Sequence, residues 1–271
     1  MRFVARIKGG RMKKEAFLIS TIAEDAVQTA AQYGLGLEIA EFCTASNLDE
    51  RFLETDAAVQ AKIKNIPCRV LHGPFNELFP CAIDPKAREL ARLRYRQALK
   101  AAQGYGISML VLHAGFNPHL YFPCWFTEQS ILFWQDFVHE IPDGMIVCLE
   151  NVLEDTPELL TAIVQAVQSP KLRLCLDVGH ISAYSAAAAE QWLEVCAPFT
   201  AHFHIHNNDG SRDAHDALFA GRLDMKQLLR TAEQRCPNAT FTLELLTAEP
   251  SVRWLAENGI LEELEEKEGT L

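Results

Sequence analysis

The sequence predicts an α/β chain closed into a single-domain (β/α)8 barrel, and three observations carry that expectation. Strand and helix signals alternate eight times, the pattern of parallel strands joined by helical crossovers. The 271 residues suit one barrel, which takes about 250. Six of the strand signals end on His, Glu or Asp, so cation-binding side chains collect at the carboxyl ends of the strands. Both barrels and doubly wound open sheets place their sites there. The open sheet stays an alternative, although eight units in about 230 residues close more naturally.

Residues 1–15 are a basic extension, MRFVARIKGGRMKKE, without the apolar run of a signal peptide; an extra strand, a hairpin or a loose arm would all suit it. Strands are expected at 16–20, 36–41, 68–72, 108–113, 145–150, 172–177, 201–206 and 240–245. Between them, AEDAVQTAAQYG (23–34) is amphipathic and stops at a glycine. DPKARELARLRYRQALKAAQGYG (84–106) opens on an Asp–Pro start and also stops at a glycine, and TPELLTAIVQAV (156–167) offers Thr156 as a cap before Pro157. The chain ends in an acidic segment, about 255–271, that includes LEELEEKEG (261–269) and reads as the end of a solvated helix.

Side chains alternate faces along a strand, so parity separates ligands from packing. If Glu150 points into the barrel, so do Cys148 and Ile146, while Val147 and Leu149 point to the helices. The same count turns Asp177 inward with Cys175 and Arg173, Glu244 with Thr242 and Thr240, and His204 with His202 and His206. Each outward set is aliphatic or aromatic. A random scatter of acids and histidines would not keep one parity over four strands.

With 25 Lys and Arg against 36 Asp and Glu, the net charge of −11 argues against a nucleic-acid partner. No apolar run reaches the roughly 18 residues of a membrane span. The 8 cysteines include no CxxC pair and read as reduced, buried small hydrophobes of a cytoplasmic protein. A homo-oligomer is left open.

Each candidate has a structural alternative. Asp177, in LDVGH (176–180), could cap the following helix, with His180 a plain loop histidine. Glu150 and Glu244 could pair with Arg173, but acids at inward parity are costly unless paired or metal-bound, and two beside Asp177 would repel without a cation. His72 in VLHGPF (70–75) and His113 in MLVLHAG (109–115) could be satisfied core histidines. In AHFHIHNND (201–209), His204 lies level with the other strand ends, His206 is a reserve contact and His202 belongs to the core. Asp213 and His215 could form a solvated turn, or join His180 in a second ion site of the sort zinc or manganese accepts.

Taken in order, VLHAG (111–115), LEN (149–151), LDVGH (176–180), HIHNNDG (204–210), DAH (213–215) and LEL (243–245) resemble the xylose isomerase-like TIM barrels. That group includes sugar and sugar-phosphate isomerases and epimerases and the endonuclease IV proteins, and the resemblance spans about residues 16–250. It implies a principal divalent metal on Glu150, Asp177, His204 and Glu244. It implies further ions on His72, His113 and Glu150 on one side, and on His180, Asp213 and His215 on the other. One to three ions are thus expected, zinc or manganese first, then magnesium, cobalt or iron. In epimerase-like members Glu150 and Glu244 move protons on opposite faces of the substrate, with His72, His113, His180 and His206 as substrate contacts. Three departures stand out: FAGRLD (219–224) replaces a Gly-x-Gly-Thr-Ile-Asp stretch, Asn207 replaces an Asp, and Phe75 stands where endonuclease IV-like proteins present Tyr.

The leading expectation is a metal-dependent isomerase or epimerase of a small sugar, working through an enediolate. An endonuclease IV-like phosphoesterase is the rival, and a non-catalytic metal-binding barrel the third reading.

Overall fold

In a computed structural model of the chain, which describes residues 11–261, the strands follow one another around a closed barrel. They are β1 (Phe17–Ser20), β2 (Gly36–Ile39), β3 (Cys68–His72), β4 (Met109–His113), β5 (Ile146–Glu150), β6 (Leu172–Asp177), β7 (Thr200–Ile205) and β8 (Thr240–Leu243). Each pairs in parallel with the next, and β8 returns to β1 through Phe17↔Phe241 and Leu18↔Thr242. That last ladder decides between the two expected architectures, because an open sheet has no such pairing. The result is a (β/α)8 TIM barrel.

Parity works as the alternation requires. Leu18, Val70, Val111, Cys148 and Cys175 fill the barrel interior, with Met109, Ile146 and Ala201 packed against them. The outward residues join the layer beneath the helices, where Phe203 stacks on Phe241 at 4.9 Å and Phe17 on Phe241 at 5.5 Å. The interior plug below and the helical layer around it hold the strand ends rigidly in place.

The helices are α1 (Ala26–Tyr33), α2 (Phe52–Ile63), α3 (Pro85–Gly104), α4 (Pro123–Phe137), α5 (Glu158–Val167), α6 (Val178–Tyr184), α7 (Ala189–Cys196), α8 (Met225–Arg235) and α9 (Glu249–Glu257). Gly34 ends α1 in the left-handed region at φ 69°, and its N–H reaches Ala30 O. Asp84 caps α3 by accepting from Lys86 N at 2.8 Å, ahead of Pro85.

Several boundaries differ from expectation. Helix α1 begins at Ala26 rather than residue 23, and β2 ends at Ile39 because a 3-10 turn starts at Glu41. Thr156 caps nothing: Pro157 occupies the cap position of α5. Strand β8 ends at Leu243, leaving Glu244 just beyond it, tied to β7 through Glu244 N to Ile205 O at 3.3 Å. The C-terminal helix stops at Glu257; Gly259 then turns the chain, and Leu261 bridges in parallel to Met12. Residues 1–10 of the extension and 262–271 of the acidic segment lie outside the described residues. Not every cysteine is buried: Cys124 is exposed, and Cys43 and Cys68 are half-buried. Among the described residues no helix is long and apolar enough to cross a membrane.

Candidate metal centre at the barrel mouth

Which imidazole nitrogen faces the centre is decided by the turns that follow the strands. His72 at the end of β3 gives Nδ1–H to Gly73 O at 2.9 Å, which leaves Nε2 facing Glu150 Oε2 at 3.1 Å. His180 gives Nδ1–H to Asn151 O at 2.9 Å and turns Nε2 to Asp213 Oδ2 at 3.3 Å. His215 gives Nδ1–H to Glu244 O at 2.8 Å and turns Nε2 to the same Asp213 oxygen at 3.0 Å. Three imidazoles are thus anchored at one nitrogen and present the other to a carboxylate, the arrangement in which an outer partner fixes the tautomer of a metal ligand. His204 runs the other way round: Nε2 lies 3.1 Å from Glu38 Oε1, while Nδ1 lies 3.3 Å from both Glu150 Oε1 and Glu244 Oε2.

The aspartates join these groups into one cluster. Asp177 serves as both cap and centre residue: Oδ1 accepts from His180 N at 2.6 Å and starts α6, while Oδ2 lies 3.1 Å from His206 Nε2. The helix-capping alternative and the ligand reading therefore hold together, on different oxygens. Asn151 pins the strand end by accepting from Asp177 N and donating to Asp177 O, both at 2.9 Å. Asp213 Oδ1 stands 3.6 Å from His206 Nε2, and the His206 ring stacks on His215 at 4.1 Å. His113 Nε2 approaches Glu150 Oε2 at 3.5 Å, its ring covered by Phe75 at 4.1 Å.

All nine expected ligands are therefore neighbours, and His206 stands among them rather than in reserve. Ligand atoms of His72, His113 and Glu150 lie within 4.8 Å of one another; so do those of His72, His204 and Glu244, of Asp177, His180 and His206, and of His206, Asp213 and His215. Arg173 takes no part: it donates to Pro198 O at the opposite end.

The donor set fits divalent cations. Among the described residues, Glu150, Asp177, Asp213 and Glu244 have no Lys or Arg partner, while Glu150 Oε1, Asp213 Oδ1, His204 Nδ1 and His206 Nδ1 are buried without a hydrogen bond. Burial alone would raise Glu150, but the His204 and His113 imidazoles overcome it and hold the carboxyl well below its ordinary range. The same opposition draws Asp177 and Glu244 down. Burial depresses His180, His204 and His215, yet Asp177, Asp213 and Glu150 carry His180, and Cys175 with Glu38, Glu150 and Glu244 carries His204, well above the usual histidine range, while the Asp213 hydrogen bond lifts His215 to about 9. His113, dominated by burial, falls to about 4 and is a neutral donor. The acids thus demand positive charge between carboxylate and imidazole; protons or metal ions can supply it.

Two of the sequence departures have structural explanations. Asn207 Nδ2 donates to Leu218 O and Leu223 O, and its Oδ1 accepts from Asn208 N and Leu223 N, so this amide laces the loop carrying Asp213 and His215. An aspartate has no donors for those two carbonyls. A Cβ at Gly221 would overlap the Asn207 side chain, which explains why this glycine is retained where the first glycine of the stretch is lost, and Asp224 caps α8 through Gln227 N at 3.0 Å. Nothing in the structure distinguishes Phe75 from a tyrosine.

Sequence reasoning missed Glu38, buried in the middle of β2 and facing inward. The parity count would have found it, since Leu37 and Ile39 flank it in GLEI.

The family model described as xylose isomerase-like TIM barrel matches residues 27–265. An uncharacterised protein of Methanocaldococcus jannaschii is 27% identical over 198 residues, 65% of this chain and 63% of that protein. A probable endonuclease 4 of Ureaplasma parvum is 29% identical over 129 residues, 44% and 41% of the two chains. The matches thus span less than two thirds of these relatives. A D-tagatose 3-epimerase-like protein superposes with TM-score 0.73 at 22% identity, covering 89% of this chain and 96% of that one. A Thermus thermophilus protein soaked with zinc chloride gives 0.69 at 26%, covering 92% and 97%.

Proposed function

The chain belongs to the xylose isomerase-like TIM barrels, and we propose that it hydrolyses phosphoester bonds of small substrates with a polynuclear divalent-metal centre. The observation that carries this reading is the surplus of ligands. Glu150, Asp177, His204 and Glu244 would hold one ion, which leaves His72 and His113 beside Glu150 Oε2, and His180, His206 and His215 around Asp213. A single-metal isomerase would use these imidazoles as substrate contacts and does not need them as ligands. Clustered ions do, because phosphoester cleavage needs charge stabilised on both the attacking and the leaving oxygen. The match to a probable endonuclease 4 points the same way, while the net charge of −11 favours a small substrate over a long polyanion.

Glu150 and Asp213 each have imidazoles at both carboxylate oxygens, so each would be shared between ions. Zinc or manganese suits this mixture of imidazole and carboxylate. Ions held there would supply Lewis acidity, by which water becomes nucleophilic at neutral pH and phosphoryl charge is neutralised. The chain itself orients the ligands through Gly73 O, Asn151 O and Glu244 O, and shields them beneath Phe75. Glu244, 12% exposed, is the carboxylate between His204 and the open mouth, where it can take a proton from the substrate side.

Sugar isomerisation or epimerisation is the second reading, favoured by one observation: Glu150 and Glu244 both approach His204 Nδ1 at 3.3 Å. Two carboxylates so placed could remove a proton from carbon and return it. The sequence puts isomerisation first; the imidazoles gathered around Glu150 and Asp213 support hydrolysis instead.

Incubating metal-loaded protein with sugar phosphates and simple phosphodiesters in heavy water separates them. Cleavage that chelation abolishes, with no deuterium on carbon, is expected; deuterium beside the carbonyl of a ketose without cleavage would favour the second reading. Glu244→Gln keeps the shape and loses the charge, so it should fold by circular dichroism and lose at least about 100-fold in turnover, in line with removal of a catalytic group.

A further inference from the structure

We infer that Glu38 is a positioning residue that fixes the tautomer of His204, so that this one histidine meets its metal ion through Nδ1. The inference rests on the metal-centre reading above and concerns a residue buried below the mouth. His72, His180 and His215 each anchor Nδ1 on a backbone carbonyl and present Nε2. His204 cannot do so, because it lies within β7 rather than in a turn and its ring stands inside the barrel, where backbone carbonyls are taken by the sheet. Its outer partner must be a side chain, and the neighbouring interior supplies Glu38.

Glu38 is 1% exposed and, among the described residues, has no Lys or Arg partner. Its Oε1 faces His204 Nε2 and its Oε2 faces His202 Nε2, both at 3.1 Å. A carboxylate can only accept hydrogen bonds, so both nitrogens must carry protons. For His204 in its neutral form, that leaves the lone pair on Nδ1, the atom aimed at Glu150 and Glu244. His202 is no competitor for the ion: its Nδ1 is occupied by Thr240 Oγ1 at 2.6 Å, and Thr242 Oγ1 lies 3.0 Å from its Nε2. It shares the charge of Glu38 through the hydrogen bond to Oε2. Glu38 thereby raises the basicity of His204 as a ligand, as carboxylate partners of metal-bound histidines do.

Two measurements test this on the full chain. In zinc-loaded protein labelled with 15N-histidine, long-range proton–nitrogen spectra should show His204 protonated at Nε2, and His72, His180 and His215 protonated at Nδ1; a His204 protonated at Nδ1 overturns the inference without any variant. Zinc titration against a chromophoric chelator should then show one equivalent weakened about 10-fold in Glu38→Gln, which keeps a hydrogen-bond acceptor but loses the charge. In Glu38→Ala, which loses both, the same equivalent should weaken about 100-fold, the range found for outer partners of metal ligands. The other equivalents stay unchanged in both. Equal affinity in parent and Glu38→Gln, with both folded, would make Glu38 merely structural. A parent that binds no zinc at all would instead remove the metal-centre reading on which the inference stands.

Discussion

Gly179 shows how tightly single residues hold the mouth together. A Cβ there would run into the His206 imidazole, and that ring is fixed by Asp177 on one side and His215 on the other. Gly179→Ala should therefore cost about 1–3 kcal/mol, the usual range for overpacking, and lower the number of bound ions by one; denaturant unfolding and metal analysis read the two effects. Glu154 carries a different kind of cost. It is buried, Oε2 accepts from Val152 N at 2.6 Å, and Oε1 has no hydrogen-bond partner among the described residues. Burial pushes its carboxyl up to about 7. A raised acid holds its proton longer in the folded state than in the unfolded one, so folding stability falls as pH rises from the ordinary carboxylate range to about 7 and is level above it. Glu154→Gln should consequently be more stable than the parent at pH 8 and nearly equal at pH 4; a variant destabilised equally at both would show that the charge is not what matters. Most ligands were legible in the sequence because they close an apolar run at fixed parity, whereas His180, Asp213 and His215 rested on their spacing beyond a strand. Their nitrogens were not, since the carbonyls that orient them belong to turns whose path depends on the rest of the barrel. Glu38 escaped because it sits in mid-strand, and its histidines come from β7, far along the chain.

At the level of elements, the alternation of strands and helices was readable throughout, while ends were decided by local chemistry. Asp84–Pro85 marks the start of α3 in sequence and in structure alike. Thr156 looked like a cap of the same kind, yet the helix starts later, at Glu158. The short α6 was hidden inside LDVGH, where Asp177 both ends β6 and caps the helix. The outer layer depends on α3 and α4, whose aromatic residues form one block: Tyr95 stacks on Trp134 at 5.8 Å, with Phe133 and Phe137 edge-on to Tyr95. Trp134 is completely buried. Trp134→Ala should destabilise the chain by about 3–5 kcal/mol, as large-to-small changes in cores do, measured by urea unfolding. Zinc affinity should stay unchanged, because this block lies on the helical side of β4 and away from the mouth; a parallel loss of metal would show that the barrel end is softer than its packing implies.

On the scale of the whole molecule, the barrel is a frame that lets six strand ends and their loops bring four acids and six imidazoles into contact. In water those acids would repel, and at the mouth they are close and largely dry. Ions that bind only the folded chain stabilise it by mass action, about 2.7 kcal/mol at a free concentration 100 times the dissociation constant. Chelation should therefore lower the melting temperature and zinc restore it. The central claim is that the surplus imidazoles serve more than one ion. Elemental analysis of protein purified without chelator, then equilibrated with a slight excess of zinc and freed of unbound metal, counts those ions directly. Two or three tightly held ions per chain are predicted; a single ion, or none, would contradict the polynuclear centre.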